Sequence, residues 1–194
     1  MRCAEIQRDT SETKIKLSLN IDGEGKRQIS TGIGFFDHML DLLARHGLLD
    51  LILNAQGDLN VDEHHTIEDV GIVLGEAFAA AVGDKAGISR YATQFVPMDE
   101  TMAFVSLDFS GRAYLQYAVN CPDQTVGNIP VQLFEEFFRA FAVNAKLTMH
   151  ISVLYGTNTH HMIEAVFKAV GRALRFALES DPCCSGIPST KGVL

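Results

Sequence analysis

The chain carries the same pentad twice. His64-His65-Thr66-Ile67-Glu68 returns 96 residues later as His160-His161-Met162-Ile163-Glu164. The correspondence runs on through Val70 and Val166, Gly75 and Gly171, Ala77 and Ala173, and Ala81 and Ala177. Self-similarity on this scale means that one supersecondary unit is used twice. Both stretches read as helices. Residues 63–82 are rich in Ala, Leu and Glu, and residues 161–178 set Ile163, Val166, Phe167, Val170, Leu174 and Leu178 on a 3.6-residue stripe. A strand-like run precedes each pentad, at 48–54 (LLDLILN) and 147–155 (LTMHISVLY). Before each of these lies another helical pattern, at 34–46 and 131–145.

Each half opens with short alternating segments. Residues 13–21 (TKIKLSLNI) end in Asp22-Gly23-Glu24-Gly25, a hairpin turn signal. Residues 102–109 and 113–119, split by Ser110-Gly111, are expected to form another hairpin. Each half therefore reads β-β-β-α-β-α. The fold class is α+β, internally duplicated, with sheets covered by helices in two layers. The halves are expected at 1–86 and 87–194, meeting near residues 83–87 (GDKAG) and packed as one domain, since no low-complexity linker separates them.

Charge narrows the function. Over 194 residues the formal net charge is −8, which argues against a nucleic-acid surface or adhesion to an anionic membrane. No run approaches the roughly 20 apolar residues of a spanning helix. The start, Met1-Arg2-Cys3-Ala4-Glu5, has no apolar signal core, so a cytoplasmic protein is expected. Cys3, Cys121, Cys183 and Cys184 show no metal or scaffold spacing and read as free thiols.

The pentads carry the chemistry. Positions i and i+4 share a helix face, so His64 with Glu68, and His160 with Glu164, can grip one ion. His65 and His161 are rotated by about 100° and point to a different ion or a neighbouring chain. Imidazole plus carboxylate suits Mn²⁺, Fe²⁺ or Zn²⁺. One such motif is a weak signal; two at matched positions of a repeat are strong, because adjacent buried imidazoles are costly without partners. His38, on the preceding helix, is a further candidate ligand, and its repeat mate is Glu136. His46 sits at a helix C-terminus, where the dipole alone favours it. His150, inside a strand, is expected to be packed.

These residues, together with RDTSET (8–13), GIGFFDHMLDLLARHG (32–47), DEHHTIEDVGIVLGEA (62–77), HHMIEAVFKAVGRAL (160–174) and IPSTKGVL (187–194), resemble the imidazoleglycerol-phosphate dehydratase family over nearly the whole chain. The resemblance implies a dehydratase of histidine biosynthesis, a lyase that converts D-erythro-imidazole-glycerol phosphate to imidazole acetol phosphate with two Mn²⁺ per site. It implies a homo-oligomer of 24 subunits with sites between subunits. It implies His38, His64, His65, Glu68, His160, His161 and Glu164 as metal ligands, with Glu136 a weaker candidate because some relatives carry histidine there. Glu12 would be an acid/base carboxylate, with Glu68 and Glu164 also in the catalytic set. Arg90, Arg112, Ser189 and Lys191, with Thr190 beside them, would bind phosphate, and His38, His46, His64, Glu68 and His160 would complete the substrate contacts. Two rivals remain open at this point: a dinuclear metal hydrolase of phosphate esters, marked by phosphate release, and a metal-binding assembly protein without turnover.

Overall fold

The computed structural model describes residues 2–184 and 186–194. The first unit runs β1 (Cys3–Asp9), β2 (Thr13–Asn20), β3 (Arg27–Ser30), α1 (Gly34–Gly47), β4 (Asp50–Gly57) and α2 (His64–Val82). The second runs β5 (Tyr91–Met98), β6 (Thr101–Asp108), β7 (Tyr114–Ala118), a short ribbon β8 (Thr125–Val126) and β9 (Ile129–Pro130), then α3 (Gln132–Asn144), β10 (Thr148–Tyr155) and α4 (Thr159–Leu178). The duplicated α+β plan expected from the pentads is present, with the β8–β9 ribbon added to the second copy.

Each unit is a four-stranded sheet with two helices on one face. The strand orders are β1-β2-β4-β3 and β5-β6-β10-β7, the same topology twice. Alternation along β2 buries Thr13, Ile15, Leu17 and Leu19 and exposes Lys14 and Lys16. The two expected hairpins are corrected here. β2 does not pair with β3, nor β6 with β7; β4 and β10 enter between them. Within the two four-stranded sheets the hairpins are β1–β2 and β5–β6. Alternation fixes which face of a strand is buried and leaves its neighbour undetermined. β3–α1–β4 and β7–α3–β10 are parallel pairs joined through a helix, the connection a parallel pair requires. The Asp22–Gly25 turn folds instead onto Asp50 at the head of β4, whose Oδ1 accepts from Glu24 N and Lys26 N, both at 2.9 Å.

The two units meet through their helices: α2 packs on α3, and α1 on α4. One apolar core runs through both, with Phe36 from α1, Phe78 from α2, Phe134, Phe137, Phe138 and Phe141 from α3 and Phe167 from α4 fully buried. Phe137 contacts Phe36 at 5.3 Å and Phe167 at 5.6 Å between ring centroids. The crossings are close because glycine occupies them. An added Cβ on Gly75 of α2 would lie 2.7 Å from Phe141 O, and one on its repeat mate Gly171 of α4 would meet Leu43 O of α1. Among the described residues no helix is long and apolar enough to cross a membrane.

Candidate metal and substrate site

The N-terminal turn of α4 holds the densest cluster. His160 Nε2 lies 3.1 Å from Glu164 Oε2, one helical turn on, and His38 Nε2 of α1 reaches the same oxygen at 3.8 Å. Ligand atoms of His38, His160 and Glu164 all fall within 4.8 Å of one another. Metal bonds of about 2 Å separate adjacent ligands by about 3 Å, so this donor set fits a divalent ion after small shifts. Phe35 packs edge-on against the His160 ring at 5.1 Å and fixes its plane. Glu164 is nearly buried; burial pushes its carboxyl up, but Lys168 (2.5 Å to Oε1) and His160 hold it below the ordinary carboxylate value. The helix itself is capped by Asn158, whose Oδ1 accepts from His160 N at 2.9 Å and His161 N at 3.3 Å.

The first copy repeats this geometry in part. His64 Nε2 stands 3.7 Å from Glu68 Oε2. The His64–His65 rings lie 6.1 Å apart at 75° and the His160–His161 rings 6.2 Å apart at 86°, so duplication preserved side-chain disposition as well as fold. Glu136 does not join His64 and Glu68: its Oε2 faces Arg139 Nε at 3.6 Å, one turn along α3. The imidazoles are not buried as a pair in either copy. His38 and His160 are exposed and His64, His65 and His161 half-exposed, because they crown the helix ends at the edge of the core. His150 also departs from expectation. It lies exposed on the outer face of the second sheet, 5.7 Å from the Tyr114 ring, since its strand neighbours Met149 and Ile151 take the inward positions.

Glu12 reaches the first cluster from the β1–β2 turn, with Oε1 3.8 Å from His65 Nε2. The turn is built by its own sequence. Thr10 Oγ1 accepts from Glu12 N and Thr13 N, and buried Thr13 donates to Asp69 Oδ2 at 2.5 Å, with Arg8 Nε on the other oxygen at 3.1 Å. His65 Nδ1 faces Asp58 Oδ2 at 3.0 Å, and this carboxylate raises the His65 pKa. In the second copy Glu100 plays that part toward His161 (2.8 Å), raising the imidazole and being held far below the usual carboxylate range itself, while Asp99 lies 3.9 Å from His161 Nε2. Sequence reasoning missed Asp58, Asp99, Glu100 and Lys168. Lys168, four residues after Glu164 on one helix face, was readable; the Glu100–His161 contact spans 61 residues and had no local signal. His46 is not among the ligand atoms gathered at His160 but lies near the end of α1, where burial, then Lys168 and Arg172, lowers its pKa.

Arg90, Arg112, Ser189, Thr190 and Lys191 come together around one open cavity of about 660 Å³. Arg90 is buried and fully engaged: Nε and Nη2 donate to Asp108 at 2.7 and 3.2 Å, and Nη1 donates to Pro188 O at 2.5 Å, tying down the C-terminal segment. Arg112 and Lys191 are exposed and carry the positive charge of the cavity. This cavity is remote from the α4 cluster. Arg90 N donates to Ala177 O, 17 residues along α4 from His160, or about 26 Å at 1.5 Å per residue. The β5–β6 hairpin gives the same ruler, with Glu100 at one end and Asp108 at the other, about 25 Å apart along the strand.

A duplicated α+β fold with imidazole–carboxylate clusters at helix N-termini and a basic cavity at the far end of a sheet is the framework of an enzyme acting on a small molecule. Residues 31–174 match the family model described as imidazoleglycerol-phosphate dehydratase. The imidazoleglycerol-phosphate dehydratase of Clostridium botulinum (strain Hall) is 60% identical over 191 residues, 98% of this chain and 97% of that one. The enzyme of the same name from Caldanaerobacter subterraneus subsp. tengcongensis is 59% identical over the full length of both chains. Among solved structures, imidazoleglycerol-phosphate dehydratase from Staphylococcus aureus subsp. aureus N315 superposes with a TM-score of 0.84 at 43% identity, covering 92% of this chain and 99% of that one. The Pyrococcus furiosus enzyme, solved with (S)-C348, gives 0.85 at 36%, covering 97% and 100%. The chain belongs to the imidazoleglycerol-phosphate dehydratase family, hydro-lyases of histidine biosynthesis.

Proposed function

We propose that the chain converts D-erythro-imidazole-glycerol phosphate to imidazole acetol phosphate with two Mn²⁺ per site, in active sites assembled from more than one copy of itself in the cytoplasm. The observation that carries the shared site is the separation of about 26 Å between the His160 cluster and the basic cavity beside Arg90. A triose-phosphate chain ending in one imidazole is too short to bridge it. A neighbouring copy would bring its own Arg112, Ser189, Thr190 and Lys191 to the substrate held at this copy's imidazoles. A closed homo-oligomer satisfies every such pair, and the 24-subunit shell implied by the resemblance is one arrangement that does so. Four free cysteines accord with a reducing compartment.

Within the site, His38, His64, His65, His160, His161, Glu68 and Glu164 would hold the ions. Glu136 would join them only after leaving Arg139. Cations held there would supply Lewis-acid stabilisation of negative charge on the substrate. Arg112 and Lys191 bind the phosphate, the former by a planar fork and the latter as a point charge. Arg90 contributes by holding Pro188, and with it the segment that carries Ser189, Thr190 and Lys191. Glu12, exposed on a turn pinned by Thr10 and Thr13, is free to move a proton between substrate carbon and leaving oxygen. His46, in the last turn of α1 with Lys168 and Arg172 near it, would contact substrate only at its margin.

The test is turnover by metal-stripped protein with and without Mn²⁺, following imidazole acetol phosphate, combined with subunit complementation. Arg112→Ala and Glu164→Ala chains are each expected to be inactive. Mixed while metal-free and then loaded with Mn²⁺, they should regain activity, because some sites pair an intact cavity with an intact cluster. No activity on mixing, from variants shown to exchange subunits, would place the whole site within one chain and refute the shared-site reading.

A further inference from the structure

Two carboxylates outside the expected site hold the same atom in the two copies of the fold. Asp58, directly after β4, places Oδ2 at 3.0 Å and Oδ1 at 3.2 Å from His65 Nδ1. Glu100, in the β5–β6 turn, places Oε2 at 2.8 Å from His161 Nδ1. They are not repeat mates. Gly57 ends β4 and Gly156 directly follows β10. A Cβ added to Gly57 would meet Thr66 and Thr13, and one added to Gly156 would meet their repeat mates Met162 and Thr101, so the residue matching Asp58 is Thr157. The residue matching Glu100 is Glu12, since Thr13 and Thr101 both open the second strand of their unit. The first unit thus takes the Nδ1 partner from the loop entering α2, and the second takes it from a hairpin turn. A contact made by non-equivalent residues was not simply copied with the duplication.

Glu100 is itself fixed. Its Oε1 accepts from Thr157 N at 3.1 Å, Asn158 N at 2.8 Å and Thr101 Oγ1 at 3.1 Å. An ionised carboxylate only accepts, so the imidazole beside it carries its proton on Nδ1 and leaves the lone pair on Nε2. Both Nε2 atoms then face the open side of the turn, toward Glu12 in one copy and Asp99 in the other.

We propose that Asp58 and Glu100 are positioning residues that fix His65 and His161 in the Nδ1–H tautomer, so that Nε2 is the nitrogen each histidine presents to a divalent cation. Carboxylates in this relation to a ligating histidine orient the ring and raise its donor strength. The proposal rests on the reading that these histidines bind metal.

The test uses the full chain as Asp58→Ala, Asp58→Asn, Glu100→Ala and Glu100→Gln, with Mn²⁺ affinity measured by equilibrium dialysis and elemental analysis, and Co²⁺ d–d absorption as a second readout. The alanine variants should bind Mn²⁺ roughly 10–100-fold more weakly, with an altered Co²⁺ band, and the amide variants should recover part of the loss because an amide oxygen still accepts from Nδ1–H. In a His65→Ala background, Asp58→Ala should have no further effect. Unchanged affinity in both alanine variants overturns the proposal. So does a loss that persists in full without His65, or one that tracks a collapse of the metal-free melting temperature, since the carboxylates would then hold the fold rather than the rings. If the wild-type chain binds no Mn²⁺, the metal reading itself has failed, and that result is separable from all the others.

Discussion

Replacing Gly75 with alanine sets two effects of opposite sign against each other. Gly75 lies inside α2, where exchange for alanine stabilises the isolated helix by about 1 kcal/mol. The same methyl group would sit 2.7 Å from both Phe141 O and Asn144 Cβ of α3 and 2.9 Å from N of Ala145, the residue that caps it. Ordinary contact begins at 3.4 Å, so α2 and α3 must separate by up to about 0.7 Å. Backbone atoms cannot swing aside as a side-chain tip can, and overpacking of this kind costs roughly 1–3 kcal/mol. We take the upper part of that range because two of the three clashing atoms are backbone. The net expectation is a loss of about 1–2 kcal/mol, which lowers the melting temperature by roughly 2–8 °C in a domain of this size. Calorimetry of the metal-free protein measures it, with Gly34→Ala as the control. Gly34 opens α1 and an added Cβ there meets nothing within 4 Å, so its melting temperature should hold or rise. A Gly75→Ala protein that melts at or above the wild-type temperature would show that propensity outweighs the close crossing, and the account of how the two units pack would be wrong.

Two further outcomes follow from the site. Asn158→Ala removes the cap that satisfies His160 N and His161 N; it should cost about 1 kcal/mol, lower the melting temperature by roughly 2–4 °C, and weaken Mn²⁺ binding, as thermal melts and metal titration would register, while Asn158→Asp should restore most of both. His46 has a folded-state pKa depressed by burial and by Lys168 and Arg172, so the unfolded chain takes up its proton first. Its contribution to stability is whole above the unfolded value of about 6.5 and is lost as pH falls through the lower folded value. His46→Gln should therefore flatten the decline in melting temperature just below pH 6.5 relative to wild type, and identical pH profiles would refute the assignment.

Much of the site was legible because it is local. His-His-x-x-Glu places ligands on one helix face by helical geometry alone, and its recurrence marked the duplication. Glu12 was reached only through the family resemblance, although Thr10 and Thr13, which build its turn, lie within three residues of it. The helices were legible for the same reason: their 3.6-residue stripes set their bounds to within a residue or two. The strand neighbours were not. Asp22–Gly25 and Ser110-Gly111 are turn-forming sequences, but a turn states that the chain bends and not which strand lies alongside next. That was decided by β4 and β10, which return through α1 and α3 and enter the sheets between the expected partners.

The sequence by itself determined the repeated unit and the residue types at each helix end, because these depend on periodicity and on chemistry carried within a few residues; the basic residues around the cavity were reached only through the family resemblance. Only the tertiary structure decided which of them meet. It joined His38 to His160 and Glu164 across the two units, left Glu136 on Arg139, gave His65 and His161 their carboxylates from loops of different origin, and set the Arg112 cavity at the opposite end of α4 from the imidazoles. The physical reason is that contacts between distant segments are selected by the burial of one shared core between four helices, a global free energy that no local stretch of sequence expresses.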